Sequence, residues 1–265
     1  MYAFEYQRAK SVADAAAALA KSGGKALAGG QSLVGAMKLR LANPGTLVDI
    51  GGIAELKGIK VDGSAVVIGA MTTHADVASS AAVRKAIPAL AALAEGIGDR
   101  QVRNRGTIGG SIANNDPAAD YPAAVVALGA TVETNKRKIA ADEFFKGMYE
   151  TALGADEIIT SVSFPIPRKA AYVKFPNPAS RFALVGVFVA QTQGGVRVAV
   201  TGAASHVHRA SALEAALAKS FTPDAAKAVK MPTTDINADL HGSAEYRAAM
   251  ISVIASRAVT AALTR

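Results

Sequence analysis

Residues 25–34 read Lys25-Ala26-Leu27-Ala28-Gly29-Gly30-Gln31-Ser32-Leu33-Val34, and residues 105–111 read Arg105-Gly106-Thr107-Ile108-Gly109-Gly110-Ser111. The first glycine pair falls between a short strand, Lys25 to Ala28, and a helix that Ser32 can cap. A helix start presents unpaired N–H groups and a partial positive charge, and glycine lets backbone approach an anion with no Cβ in the way. The second pair, flanked by Thr107 and Ser111 and preceded by Arg103 and Arg105, reads as a loop able to form an anion-binding nest. One Gly-Gly pair is usually only a turn. Two of them, each beside hydroxyls, point to one shared diphosphate. The sequence has no G-x-x-x-x-G-K-[ST], and no G-x-G-x-x-G after a strand with an acid about 20 residues on, which disfavours P-loop and Rossmann sites.

Working outward, Ser11-Val12-Ala13-Asp14 reads as a capping box opening a helix to Lys21 that stops at Gly23-Gly24. A second helix, Leu33 to Leu41, must end at Asn43-Pro44-Gly45, and Thr46 to Ile50 is a strand, so the order α, β, α, β suits parallel pairing. Ile59 to Val61 and Ala65 to Gly69 flank the turn Asp62-Gly63-Ser64 as a hairpin. Thr73 to Leu93 is helical with an interruption at Pro88, and Gly106 to Asp120 has the composition of a loop. Pro122 starts a short helix, and strands follow at Thr131 to Thr134 and Glu157 to Phe164, with Asn135-Lys136-Arg137-Lys138 a solvated turn. Pro165-Ile166-Pro167 marks a domain boundary. Beyond it come a hairpin, Phe182 to Thr192 with Gly195 to Thr201, and helices over Ala210 to Lys219 and Ala244 to Leu263.

The 265 residues, 51% hydrophobic and 19% charged, suit one large or two smaller globular domains and exclude disorder as the main state. With no cysteine, the chain cannot form disulfides or hold its own iron–sulfur cluster. The apolar runs around Ala123 to Leu128 and Phe182 to Ala190 are far shorter than the roughly 20 residues of a membrane span. The start Met1-Tyr2-Ala3-Phe4-Glu5 is unlike a signal peptide, so the expectation is a soluble cytoplasmic protein. The formal charge of +8 favours anionic ligands, but aromatics are only 5% and the basic residues are scattered, which weighs against nucleic acid.

Among single residues, Asp120 is read as a ligand-facing acid, whereas Asp116-Pro117 reads as the start of a turn. His74, after Thr72-Thr73 at a helix start, is given a structural role. His206 and His208 share one face of an extended segment, but no third metal ligand is placed, so no metal site is assigned. Glu245 and Arg247 are expected in a domain-packing ion pair.

As a set, Ala28 to Leu33 and Thr107 to Gly110 resemble the paired FAD loops of the molybdenum hydroxylase flavoproteins, the xanthine dehydrogenase and aerobic carbon monoxide dehydrogenase family. Further similar stretches are Ile68 to His74, Val102 to Gly106, Asp120-Tyr121-Pro122, Tyr172-Val173-Lys174 and Ser243 to Arg247, so the resemblance covers nearly the whole length and is strongest to the carbon monoxide dehydrogenase type. It implies an α+β fold. Residues 1–167 would form an FAD-binding domain of the p-cresol methylhydroxylase type, with subdomains of about 1–55 and 56–167. Residues 168–265 would form a smaller domain with a three-stranded antiparallel sheet and helices. By position, Leu27, Ala28, Gly29, Gly30, Gln31, Ser32, Leu33, Val34, Gly106, Thr107, Ile108, Gly109 and Gly110 would hold the pyrophosphate. Asp120 and Lys174 would be further flavin contacts, with Ile159 beside the isoalloxazine and Lys174 stabilising negative charge on the reduced ring. Ser111 stands where the family often has Asn, and Gln31 where some members have His; both still supply hydrogen bonds.

The resemblance further implies an electron-transfer subunit whose redox chemistry belongs to FAD, with no catalytic side chain of its own. Its partners would be a small subunit with [2Fe-2S] clusters and a large subunit with the molybdenum cofactor, as a dimer of heterotrimers. It would lie in the cytoplasm, with attachment to the inner face of the membrane left open. Two rivals stay open at this point: a self-sufficient FAD oxidase or reductase of the same domain type, for which the C-terminal part is small, and a basic anion- or nucleic-acid-binding module.

Overall fold

Short strands alternating with helices give the first 55 residues a parallel sheet, and the computed structural model, which describes residues 1–264, shows how it is wound. β1 (Glu5–Arg8), α1 (Val12–Ser22), β2 (Lys25–Leu27), α2 (Leu33–Lys38) and β3 (Thr46–Asp49) make three parallel strands in the order β1-β3-β2. Ser11 caps α1 by accepting from Asp14 N at 3.1 Å. The Asp14 carboxylate turns instead to Lys10 N at 2.8 Å, so the expected reciprocal box is only half made. Helix α2 stops at Lys38, three residues earlier than expected, because Arg40 takes a left-handed φ of 61°.

A second unit is built on the antiparallel sheet β4-β5-β10-β6-β7, formed by β4 (Ile59–Asp62), β5 (Ala65–Gly69), β6 (Thr131–Thr134), β7 (Lys138–Ala140) and β10 (Ile159–Pro165). Between β5 and β6 run α3 (His74–Ser79), α4 (Ala81–Ala86), α5 (Pro88–Glu95), α6 (Arg100–Arg105), α7 (Ile108–Asn114) and α8 (Tyr121–Ala127). A short α9 (Ala141–Phe144) and a small hairpin of β8 (Phe145–Gly147) and β9 (Glu150–Thr151) precede β10. Val66, Ile68, Val132, Val162 and Phe164 of the sheet share one core with Val77, Leu90, Ile108, Ile112 and Val125 of the helices.

The stretch from Gly106 to Asp120 is thus not a loop throughout. Thr107 caps α7 by accepting from Gly110 N at 3.1 Å, and Ile108 and Ile112 bury completely. That burial outweighs the penalty of about 1 kcal/mol that each helical glycine carries.

The chain changes sheet between Pro165 and Lys169. β11 (Lys169–Pro176), β12 (Ala183–Thr192), β13 (Gly195–Thr201) and β14 (His208–Arg209) form four antiparallel strands, where the resemblance implied three; the addition is the two-residue β14. Helices α10 (Ser211–Lys219), α11 (Pro223–Lys227) and α12 (Ala244–Leu263) follow. Val185, Val187 and Val189 of β12 face these helices, whereas Phe188 and Ala190 join the core of the second unit. The sheet is buried on both faces, which explains the unbroken apolar run in β12.

The basic turn after β6 is more than solvated. Lys136 pairs with Asp156 at 2.6 Å, and Glu157, with a side chain 3% exposed, accepts from Arg137 Nε at 3.0 Å, Thr134 Oγ1 at 2.7 Å and Gly154 N at 3.0 Å. The Arg137 hydrogen bond, above all, holds the Glu157 carboxyl down at about 2. A carboxyl depressed on folding adds stability above its ordinary value, near 4.5, which is lost as the pH falls from there through 2. With Arg137 half-exposed and screened by solvent, that contribution is about 2 kcal/mol. Urea titrations between pH 5 and pH 2 are expected to show this acid limb in the native chain and not in Glu157→Gln; an unchanged limb in the variant refutes the assignment.

Candidate cofactor site

The bend from β2 into α2 leaves a run of free backbone donors. Among the described residues, none of the N–H groups of Gly29, Gly30, Gln31, Ser32 and Leu33 meets a protein acceptor. Ser32, expected to cap α2, makes no side-chain cap, so its exposed hydroxyl is free as well. Gly30 takes a φ of 75°, which turns the chain sharply while keeping these amides on the surface. Leu27, Ala28, Gly29 and Gly30 are half-buried, and Val34 continues the turn by donating to Gly30 O at 3.2 Å.

The second glycine segment lies directly against the first. A Cβ on Gly29 would overlap the Arg105 carbonyl oxygen and come within 2.9 Å of Gly106 Cα, and one on Gly110 would stand 3.6 Å from Ala28 Cβ. Its amides, however, are mostly committed. Ile108 N donates to Thr72 O at 3.1 Å, Gly109 N to Ala70 O at 2.9 Å, Gly110 N to the Thr107 hydroxyl and Ser111 N to Thr107 O at 3.0 Å. Only Thr107 N keeps no acceptor among the described residues. Gly106 to Gly110 therefore contribute close packing and a wall, while most of the donors come from residues 29–33. Of the two arginines that precede this segment, Arg103 donates to Ile97 O and Gly98 O at 2.9 and 3.1 Å, and Arg105 is exposed.

Behind this wall stands His74, 5% exposed, its ring against Gly106 and 5.3 Å from that of Tyr121. Burial, helped by Arg103, lowers its pKa to about 4, so the imidazole stays neutral and packs as the sequence suggested. A cleft of about 340 Å³ beside the same segment is lined by Lys57, Ile59, Met71, Thr72, Thr73 and Asp76.

Asp120, 6% exposed, heads α8 but makes no cap; it faces the C-terminal sheet. Lys174 Nζ lies 2.9 Å from its Oδ2 and 3.0 Å from Gly96 O, while the Tyr172 hydroxyl donates to Oδ1. Burial pushes the Asp120 carboxyl up, and Lys174 and Tyr172 pull it back. Lys174, with a side chain 14% exposed, is a half-buried cation at the junction of the units and not a freely solvated surface lysine. Ile159, 4% exposed, points into the core at a bulge of β10, next to Thr160, whose carbonyl accepts from Ala70 N at 2.9 Å. Asp116 makes the expected turn, its Oδ1 accepting from Ala118 N at 2.9 Å.

Two participants, Asn115 and Thr201, had no signal in the sequence, and a third, Tyr172, stood there only within the stretch Tyr172-Val173-Lys174 with no partner assigned. Asn115 is fully buried in a left-handed conformation and donates to Gly147 O and Glu150 O at 2.7 and 2.8 Å. Tyr172 reaches Asp120 across 52 residues, and Thr201 Oγ1 reaches Ala119 O at 2.7 Å. Arg247 pairs not with Glu245 but with Asp239. Among the described residues no group of three or more His, Cys, Asp or Glu could hold a metal ion, and no helix is long and apolar enough to cross a membrane.

Two α+β units that meet beside a row of backbone amides without protein acceptors have the architecture of a protein built to hold a diphosphate. The sequence model described as the FAD binding domain in molybdopterin dehydrogenase matches residues 2–167, and the chain belongs to that family. It is 39% identical over 280 residues to the carbon monoxide dehydrogenase medium chain of Hydrogenophaga pseudoflava, covering 99% of this chain and 98% of that one. To the nicotine 6-hydroxylase medium subunit of Paenarthrobacter nicotinovorans it is 36% identical over 240 residues, covering 85% of each. A solved carbon monoxide dehydrogenase from Hydrogenophaga pseudoflava superposes with a TM-score of 0.90 at 41% identity, over 99% of this chain and 98% of that chain. The residues present fit FAD: an open amide row suits a diphosphate, the missing Cβ of Gly29 lets the two loops touch, and a half-buried cation stands at the domain junction.

Proposed function

We propose that this chain is the FAD-carrying electron-transfer subunit of a molybdenum hydroxylase complex, accepting electrons from the iron–sulfur clusters of a partner and passing them to an external acceptor. The observation that carries this reading is the row of unpaired N–H groups from Gly29 to Leu33, closed on one side by Gly106 to Gly110. Those amides and the Thr107 N–H would hold the pyrophosphate. Asp120 and Lys174 would meet the flavin, with Ile159 supporting the ring from the core side. Bound FAD supplies a two-electron store between single-electron donors and the final acceptor. The protein's own part is to bind and orient it and to keep a fixed positive charge, Lys174, in a partly dry setting where it counts for more than in water.

With no cysteine in the chain, the clusters must come from elsewhere, which supports an iron–sulfur small subunit and a molybdenum-binding large subunit as partners in a dimer of heterotrimers. Exposed Tyr2, Phe4, Tyr6, Leu39 and Leu41 on the first unit, with Arg40 lying 5.7 Å over the Tyr2 ring, are surface that a partner would cover. We place the complex in the cytoplasm, with attachment at most peripheral to the inner membrane face. The test is an absorption spectrum of the chain purified with its co-expressed partners. Oxidised-flavin bands near one FAD per chain, and cluster absorption confined to the partner fraction, are expected; a folded, colourless chain overturns the reading.

A further inference from the structure

The C-terminal sheet presents one row of three residues to the FAD-binding part. Lys174 on β11 stands opposite Gly186 on β12, and Gly186 opposite Thr201 on β13. Lys174 reaches outward to Asp120 and Gly96 O. At the other end of the row, Thr201 Oγ1 lies 2.7 Å from Ala119 O and 2.9 Å from Pro117 O, and Gly202 N donates to Pro117 O at 2.7 Å. The segment carrying Asp120 is therefore gripped at 117, 119 and 120 from the second domain. Between the two ends, the sheet has a gap the size of a side chain. The Tyr172 hydroxyl fills it: a Cβ on Gly186 would overlap that oxygen and come within 3.0 Å of Tyr172 Cζ and 2.8 Å of Thr201 Cγ2. The Tyr172 ring is steadied by stacking on Phe188, its cross-strand partner, at 6.2 Å.

We propose that Tyr172, Gly186 and Thr201 are positioning residues, by which the C-terminal domain fixes the Asp120–Lys174 pair for the cofactor. Gly186 leaves the space, Tyr172 uses it to hold one oxygen of Asp120, and Thr201 anchors the backbone just before it. The consequence is electrostatic as well as geometric. A carboxylate that accepts from Tyr172 on one oxygen has its charge spread over two donors, so it neutralises Lys174 less fully and leaves more of that positive charge for the cofactor. Without the hydroxyl, Asp120 would draw Lys174 closer and the flavin would be harder to reduce.

This inference rests on the reading that Asp120 and Lys174 face the flavin, and the experiment separates the two. The full chain is purified with FAD as Tyr172→Phe, Gly186→Ala, the double variant and Lys174→Ala. FAD affinity is measured by fluorescence titration and the flavin midpoint potential by spectroelectrochemistry at one pH. Tyr172→Phe is expected to weaken FAD binding about tenfold, the weight of one hydrogen bond to a charged group, and to lower the potential. Gly186→Ala should move both quantities the same way, and the double variant should lose less than the sum of the two single losses, because the tightest contact of the added Cβ is with a hydroxyl already gone, while its contact with Thr201 Cγ2 remains. Native affinity and potential in Tyr172→Phe, with both changed in Lys174→Ala, would overturn the positioning role alone. If Lys174→Ala also leaves both unchanged, the flavin-facing reading falls and this inference with it. Strictly additive losses would remove Gly186.

Discussion

Replacing Gly29 by alanine is expected to strip the chain of FAD. The new Cβ would overlap the Arg105 carbonyl oxygen and approach the Arg105 carbonyl carbon at 2.7 Å and Gly106 Cα at 2.9 Å. All three are backbone atoms, so no rotamer change relieves the contact; the first loop must lift away from the second. Overpacking of this kind costs about 1–3 kcal/mol. The larger effect is on the cofactor, because the five N–H groups that have no protein acceptor are displaced as the loop detaches. With each charge-assisted bond worth about 1.5–3 kcal/mol, misplacing even two of them weakens binding by at least about 100-fold. Gly35, one turn further along α2, is the control. A Cβ there meets nothing within 4 Å, and alanine in a helix is favoured over glycine by about 1 kcal/mol. Gly35→Ala should retain full FAD content and a slightly higher melting temperature. The ratio of flavin to protein absorbance after gel filtration decides the matter: a Gly29→Ala chain with native flavin content refutes the close-approach argument.

The different fates of the two glycine segments show what a sequence can reveal here. The first was legible because everything that makes it a donor row is local: a strand too short to continue, glycines that permit the turn, and a helix start. The second shared that composition, yet most of its amides are taken by Ala70, Thr72 and Thr107, and residues 108–114 are helical. Nothing within a few residues of Gly109 announces Ala70, whose own position is set by the end of β5. Local pattern identified the pair of segments, while long-range pairing divided the labour between them.

The same limit governs the electrostatics. Asp120 could be singled out as an acid beside a glycine segment, but its companions, Tyr172 and Lys174, arrive from a different sheet. β1 carries no local signal because all four of its residues are exposed and show no alternation, so only pairing with β3 makes it a strand. The C-terminal hairpin and the long last helix were plain, since continuous apolar runs and helical periodicity do not depend on partners. Arg247 was visible as a charge within that helix and invited pairing with its neighbour Glu245. A residue two positions away on a helix faces elsewhere, however, and the partner that geometry permits is Asp239, in the segment before the helix.

Removing that arginine is the second large effect. Arg247 is 3% exposed, and its guanidinium ties the segment before α12 to β12 and to the residue after β13. Nη2 donates to both Asp239 oxygens at 2.7 Å, and Nη1 donates to Leu184 O at 2.8 Å and Gly202 O at 3.0 Å. Asp239 is half-exposed and can turn to water, held low mainly by the His241 N–H. The two carbonyls, of Leu184 in β12 and of Gly202 just after β13, are less well placed, since among the described residues they lose their one side-chain donor. Arg247→Ala is therefore expected to destabilise the chain by about 3–5 kcal/mol, against about 1 kcal/mol for Asp239→Asn, measured as shifts in equilibrium urea unfolding. Because Gly202 follows Thr201, the loss of Arg247 should also loosen the grip on residues 117–119, so FAD affinity should fall in Arg247→Ala and hold in Asp239→Asn. Equal destabilisation by the two variants would mean that the ion pair, and not the carbonyl clamp, is what Arg247 provides.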